Sequence, residues 1–124
     1  MTSRSGKQAV NVLIKIVVKK YKKEEFLEYM QMCRAKIRRQ PGCVSYDLYQ
    51  DSDEENTFRL VNKWETVQAM EKHFHTREYE LLLGAARVLG DTFEIETTKV
   101  LHIGNRDWAR GQMRSHKNTG ESSI

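Results

Sequence analysis

The feature that most constrains the fold is a change in hydrophobic period between residues 10 and 40. From Val10 to Val18 every second residue is apolar and β-branched, a period of two that predicts a β-strand. From about Lys22 to Gln40 the apolar residues are three or four positions apart, as on one side of a helix. This helical stripe consists of Phe26, Met30, Cys33 and Ile37. Pro41 and Gly42 then end the helix.

The same two periods recur along the rest of the chain. Alternation predicts strands over 43–49, 58–64 and roughly 92–103. A polar turn at 51–56 joins the first two of these strands. Thr66 and Thr76 are N-cap residues for two short helices, of which the first ends near Phe74 and the second before Gly90. The predicted order is therefore β-α-β-β-α-α-β.

This order predicts the fold class. Four strands with one layer of helices form an α+β, ferredoxin-like fold, a four-stranded antiparallel sheet with helices on one face. The opposite face mixes apolar and charged side chains. It is too apolar for a surface exposed to water and too charged for a dry core. Its members are Leu13, Lys15, Val17, Cys43, Asp47, Tyr49, Arg59, Val61 and Lys63. A second copy packed sheet to sheet resolves the conflict, so we expect a homodimer; the alternative is a solvated face with a few exposed apolar side chains.

The length and the charge distribution bound the function classes. The 124 residues suit one domain, which we expect at 10–103. A flexible N-terminal arm at 1–9 precedes it, and a basic polar tail at 104–124 follows it. Within the tail, Trp108 and Met113 are the side chains that could dock on the folded domain. The net charge of +4 lies in the two arms and leaves 10–103 neutral, which argues against nucleic-acid binding. No apolar run is long enough for a membrane helix, and no signal-peptide pattern precedes the first strand, so we expect a cytoplasmic protein without membrane contact.

Metal and cofactor motifs are missing from the sequence. Cys33 and Cys43 form neither a CxxC site nor a disulfide framework, and we expect two reduced thiols. His73 and His75 are two positions apart, whereas a helical pair of metal ligands requires a spacing of four. The chain contains no glycine-rich phosphate loop. We therefore predict no metal and no cofactor.

One constellation can carry chemistry. Asn62 and Trp64 share the helix-facing side of the third strand, and His73 shares a helix face with Ala69 in the next element. A histidine beside an indole and an amide, over apolar side chains, can act as a proton acceptor in a small pocket. The alternative is a histidine at the edge of the core that a backbone carbonyl satisfies, with Trp64 as packing.

Several segments resemble the antibiotic biosynthesis monooxygenase family, within the dimeric α+β barrel superfamily. The resemblance covers about residues 10–103. It rests on the lysine-rich turn before Glu24-Glu25-Phe26, on Pro41-Gly42-Cys43, on Tyr46-Asp47-Leu48-Tyr49-Gln50-Asp51, and on Trp64-Glu65-Thr66 with Ala69, His73, Thr76 and Tyr79. It implies a homodimeric barrel with a pocket between the helices and the sheet of each chain. Many members oxidise phenols or quinols with O₂ and without metal, flavin or haem.

The resemblance also implies roles for particular residues. His73 is the expected catalytic base or hydrogen-bond partner, Trp64 a pocket wall and Asn62 a polar handle. The remaining candidate substrate-binding residues are Ile14, Met70, Phe74 and Tyr79. Two positions depart from the family pattern, because Glu78 replaces a second histidine and Asn62 stands where glutamate is common.

Three other functions stay open at this point. The first is a non-catalytic dimeric barrel that binds a small apolar ligand. The second is haem binding or degradation, for which relatives use an asparagine on the first strand. In this chain that position falls near Ile14, and the nearby Asn11 lies on the opposite face, which makes this function less favoured. The third is an isomerase or lyase of small sugars.

Overall fold

The structure is a computed structural model that describes the backbone of residues 8–118 and the side chains of residues 8–113. It contains four strands and four helices. In chain order they are β1 (Val10–Val18), α1 (Lys23–Arg38), β2 (Cys43–Gln50), β3 (Thr57–Trp64), α2 (Val67–Phe74), α3 (Arg77–Leu89), β4 (Gly90–Lys99) and α4 (Arg106–Asn118).

The strands form one antiparallel sheet in the order β2-β3-β1-β4. Two crossovers through helices and one hairpin give this order, so the predicted α+β, ferredoxin-like fold is confirmed. The even-numbered residues of β1 are buried and the odd-numbered ones are half-buried, as the alternation predicted. Val10 lies opposite Trp64 of β3, which places the end of β3 beside the start of β1.

Local side chains explain where α2 and α3 begin. The hydroxyl oxygen of Thr66 accepts a hydrogen bond from the backbone N–H of Ala69 at 3.0 Å. The hydroxyl oxygen of Thr76 accepts one from the N–H of Tyr79 at 3.3 Å. Each bond satisfies a first-turn N–H that has no partner inside its helix. Both predicted N-caps are therefore confirmed, and they define the segment that carries His73.

The fourth strand differs from the prediction at both ends. It runs from Gly90 to Lys99 rather than over 92–103, because α3 leads into it without a loop. Its far end is set by β1, since Lys99 lies opposite Val10, the first residue of that strand. One more pair continues the ladder, in which the N–H of Val100 donates to the carbonyl of Ala9 at 2.8 Å. Beyond this point Leu101 and Ile103 are 88% and 70% exposed.

The segment 104–124, for which the sequence predicted no regular structure, contains α4. Asn105 caps this helix, because its side-chain oxygen accepts a hydrogen bond from the N–H of Trp108 at 3.1 Å. The Trp108 ring stacks on His102 with 4.4 Å between ring centroids. Residues 1–7 of the predicted arm and 119–124 of the predicted tail lie outside the described residues. The division into arm, domain and tail stays a prediction.

The outer face of the sheet carries a shallow depression of about 470 Å³. Its lining mixes apolar and charged side chains and includes Leu13, Lys15, Arg59, Val61, Glu94 and Glu96. Leu13, Val17 and Val61 remain half-buried here, opposite the layer of helices. No helix of the described chain is long and apolar enough to cross a lipid bilayer.

Candidate active site

The centre of the candidate site is a stack of two rings. Trp64 ends β3, and His73 lies in the last turn of α2, after the short connection that Thr66 caps. The ring centroids are 4.5 Å apart and the planes are inclined by 23°. Trp64 is fully buried and His73 is 3% exposed. The structure thus brings together the two rings that the spacing of residues 64 and 73 singled out.

Three further aromatic rings surround His73. The ring centroids of Tyr79, Phe74 and Tyr46 lie 5.4, 5.9 and 6.3 Å from that of His73. The rings of Phe74 and Tyr79 also contact each other, with 4.8 Å between centroids. An imidazolium cation is poorly solvated in such surroundings. Burial therefore lowers the pKa of His73 to about 4, although the nearby Glu78 carboxyl opposes the shift. His73 is neutral at pH 7.

Asn62 supports the indole rather than facing an open space. The Trp64 Nε1–H donates to the side-chain oxygen of Asn62 at 2.6 Å. The Asn62 amide nitrogen donates to the backbone carbonyl of Val12 at 3.3 Å. Both ends of the Asn62 amide are thus used inside the protein, which is how a fully buried amide avoids a desolvation cost.

Gln40 makes the polar contact to His73 that the sequence did not reveal. Its side-chain oxygen lies 2.7 Å from the Nδ1 atom of His73, and its amide nitrogen donates to a Glu78 carboxylate oxygen at 3.3 Å. The ring partner is therefore a side-chain amide, not the backbone carbonyl that the alternative interpretation expected. The available signal was the position of Gln40 before Pro41-Gly42, but nothing local pairs it with a residue 33 positions away.

A cavity of about 180 Å³ opens beside His73. It is lined by Gln40, Pro41, Ala69, Lys72, His73 and Thr76. Cavities of about 150 Å³ hold a benzene molecule, so this space is large enough for one aromatic ring. No residue of the sheet lines it, whereas the family resemblance implied a pocket between the helices and the sheet.

The other predicted site residues lie around or away from this cavity. Phe74 and Tyr79 contact the His73 ring, while Trp64, Asn62 and Met70 are buried. Ile14 is buried opposite Leu60, four residues along β3 from Trp64, a distance of about 13 Å at the rise of a β-strand. Of the predicted residues, only His73 lines the cavity, so the substrate-binding roles of the other six stay predictions.

Within residues 8–113, no group of three histidine, cysteine, aspartate or glutamate side chains is arranged to hold a metal ion. Cys33 is buried and Cys43 half-buried, and both thiols are free. The described site consists of the imidazole, the amide and carboxyl groups behind it, and the surrounding rings.

The sequence matches one family and two related proteins. The profile of the antibiotic biosynthesis monooxygenases matches residues 9–82. The uncharacterised protein sll1783 of Synechocystis is 35% identical over 86 residues, which are 68% of this chain and 58% of that protein. YcnE of Bacillus subtilis, provisionally named a monooxygenase, is 38% identical over 65 residues, or 52% of this chain and 68% of YcnE. The chain thus spans less than two thirds of the Synechocystis relative.

Solved structures share the fold at low sequence identity. Protein SO0527 of Shewanella oneidensis has a TM-score of 0.71 at 21% identity, covering 75% of this chain and 91% of its own. SnoaB of Streptomyces nogalater, a cofactor-independent oxygenase studied as a mutant, has a TM-score of 0.68 at 21% identity, with 77% and 95% covered. At such identity these structures support the fold and not the substrate.

Proposed function

Because the chain belongs to the antibiotic biosynthesis monooxygenase family, we propose that it is a cofactor-independent monooxygenase that oxidises a small aromatic phenol or quinol with O₂. The observation that carries the proposal is the neutral imidazole of His73, which is surrounded by aromatic rings and borders a cavity of about 180 Å³. SnoaB, of the same fold, is described as a cofactor-independent oxygenase. YcnE, a sequence relative, carries the provisional name of a monooxygenase.

The reaction needs no reductant other than the substrate. A phenol becomes more electron-rich as its hydroxyl proton is drawn away, and it can then pass electrons to O₂. One oxygen atom then forms a new bond to a ring carbon. The other leaves as water, with the hydroxyl proton returned by His73 and the hydrogen lost from that carbon. The ring loses four electrons in total and becomes a quinone, so that a phenol and O₂ give a quinone and water. The protein has to bind the ring, accept a proton and exclude bulk water.

The low basicity of His73 limits how it handles that proton. A phenol has a pKa of about 10, so complete transfer to an imidazole of pKa about 4 is uphill by about 8 kcal/mol. His73 therefore accepts a hydrogen bond from the substrate hydroxyl and takes its proton in step with electron transfer to oxygen. Pro41 and Ala69 provide apolar wall on the cavity side, and Trp64 holds the imidazole from behind.

Oxygen uptake with a panel of hydroquinones and catechols tests the proposal. We expect the protein to consume O₂ with at least one hydroxylated ring and to give the oxygenated quinone by mass spectrometry. The matched O-methyl ethers have no acidic proton and should give no turnover. Ligand binding without oxygen uptake would favour the non-catalytic binding protein instead. A Soret shift on titration with haem, without turnover of any ring, would favour the haem-binding alternative.

The assembly that we propose is a homodimer joined through the outer face of the sheet. Leu13, Val17 and Val61 are only half-buried there in one chain, and a second sheet would remove them from water. We expect sedimentation to give the mass of a dimer. Val61→Asp should weaken the dimer, because the added carboxylate would lose its hydration inside the interface. Met32→Asp is the control, because it places the same charge at an exposed position of α1 and should leave the dimer intact. A wild-type protein that sediments as a monomer would contradict this assembly.

A further inference from the structure

We infer that Glu78 and Gln40 together hold His73 as the tautomer protonated at Nδ1, so that Nε2 is the nitrogen that receives the substrate proton. Glu78 and Gln40 are positioning residues in this scheme, because they act through the imidazole. The assignment of the tautomer rests on two hydrogen-bond contacts and on the burial that keeps the imidazole neutral. The statement that Nε2 acts on a substrate rests on the proposed function.

The first step is the orientation of the Gln40 amide. The side-chain nitrogen of Gln40 lies 3.3 Å from a carboxylate oxygen of Glu78. An ionised carboxylate only accepts hydrogen bonds, so the group that faces it has to be the NH₂ end of the amide. Glu78 belongs to the first turn of α3. The carbonyl end of the amide is thereby directed away from Glu78.

The second step passes from the amide to the ring. The Gln40 oxygen lies 2.7 Å from Nδ1 of His73 and cannot donate a hydrogen bond. Nδ1 must therefore be protonated and donate the hydrogen bond to the Gln40 oxygen. A neutral imidazole has one N–H, and burial keeps His73 neutral at pH 7. Its second nitrogen, Nε2, is then left with a free lone pair.

The third step is the rigidity of the segment that presents Gln40. The N–H of Cys43 donates to the carbonyl of Gln40 at 3.1 Å across Pro41 and Gly42. Gly42 has a φ of 82°, and proline followed by a glycine of positive φ is typical of a type II turn. The Gly42 carbonyl accepts from the N–H of Glu65 at 2.8 Å, which ties the turn to the end of β3.

The turn also lies directly against the helix that carries His73. A Cβ atom added to Gly42 would overlap the Cβ of Ala69 in α2. Ala69 and His73 share a face of α2, one turn apart. The close approach that only glycine allows therefore sets the distance from Gln40 to His73. The Pro41-Gly42 pair, which follows the end of α1 at Arg38, thus has a role in the site.

Nitrogen NMR of the full-length protein tests the inference without any substrate. In a long-range ¹H–¹⁵N spectrum at pH 7, His73 should show a protonated Nδ1 and an unprotonated Nε2. His75 and His102, which are exposed, serve as references in the same spectrum. A wild-type spectrum with the proton on Nε2 of His73 would overturn the inference, whether or not the protein is an oxygenase.

Two variants assign the effect to Glu78 and Gln40. Glu78→Gln replaces an obligate acceptor by a group that also donates, so the Nε2–H tautomer should become detectable. Gln40→Leu removes the acceptor and should shift His73 further toward that tautomer. Gln68→Leu, an exposed glutamine on α2, is the matched control and should change nothing. Thermal unfolding by circular dichroism confirms that each variant is folded.

The outcomes separate this inference from the proposed function. If Glu78→Gln and Gln40→Leu are folded and leave the tautomer unchanged, neither residue positions His73 and the inference is wrong. Should the tautomer shift as expected while no substrate is oxidised, the positioning of His73 by Glu78 and Gln40 stands, and the proposed function fails together with the role of Nε2 in it. In an active oxygenase, Gln40→Leu should lower kcat/KM by about 10–100-fold, as the loss of supporting hydrogen bonds does in other sites.

Discussion

Replacement of His73 by alanine is expected to lower kcat/KM for oxygen-dependent ring oxidation by about 10²–10⁴-fold, the range of a lost general acid–base group. The imidazole borders the cavity, and Lys72 is the one other ionisable side chain among the described residues that line it. An ammonium group has three N–H donors and no acceptor, so it does not replace the imidazole. Oxygen-electrode rates for the best substrate of the panel measure the loss.

His75→Ala is the control for this substitution. His75 is exposed and lies two residues further along, beyond the end of α2, so its removal should change the rate less than about twofold, as surface substitutions usually do. Equal losses in the two variants would place the effect in general folding rather than in chemistry. Full activity of a folded His73→Ala protein would remove His73 from the mechanism.

The pH profile of the same activity follows from the environment of His73. The protonated imidazole has no free lone pair, so activity should fall only as the pH approaches about 4, where His73 gains its proton. If the catalytic histidine were exposed, it would titrate near pH 6.5, and kcat/KM would fall about tenfold between pH 7 and pH 5.5. A kcat/KM that is constant from pH 7 to 5 is therefore the expected result. A decline through pH 6.5 would show that His73 is more solvated than its ring contacts indicate.

Trp64→Ala is expected to lower the free energy of unfolding by about 3–5 kcal/mol, which is typical of a tryptophan removed from a core. Trp64 is fully buried and stacks on His73. Its loss also leaves the side-chain oxygen of Asn62 without a donor, which adds a desolvation cost. Urea denaturation at pH 7, followed by circular dichroism, measures the difference.

The second tryptophan provides the comparison. Trp108 lies in α4, is 43% exposed and stacks on His102. Trp108→Ala should change the free energy of unfolding by less than about 1 kcal/mol, because little apolar surface is lost from the core. Trp64→Phe keeps a ring against His73 and should fall between the two alanine variants. A small loss for Trp64→Ala, similar to that for Trp108→Ala, would contradict the central role of the indole in the packing.

The sequence predicted the architecture well where the periods are long and regular. The alternation in β1, the stripe of α1 and the caps at Thr66 and Thr76 each depend on residues that are close in the chain. The prediction was wrong at the end of β4 and in α4. The length of β4 depends on where its partner β1 begins, and α4 has too few apolar residues to form a helical stripe in the sequence.

The candidate site was likewise predictable from the sequence only in part. The proximity of Trp64 and His73 follows from a strand end, a capped connection and the geometry of one short helix. The Gln40 contact and the cavity do not, because Gln40 is 33 residues from His73 and 38 from Glu78. Neither hydrophobic period nor capping carries information about such a distant pair.

The sequence by itself determined the order of the elements, their buried faces and the family, because strand and helix periods, turn residues and caps act over a few positions. Only the tertiary structure decided which polar group meets His73, how large the adjoining space is and which residues line it. The reason is physical: the turn at Pro41-Gly42, the end of β3 and α2 come together through packing, and the hydrogen bonds between them exist only once those elements are in contact.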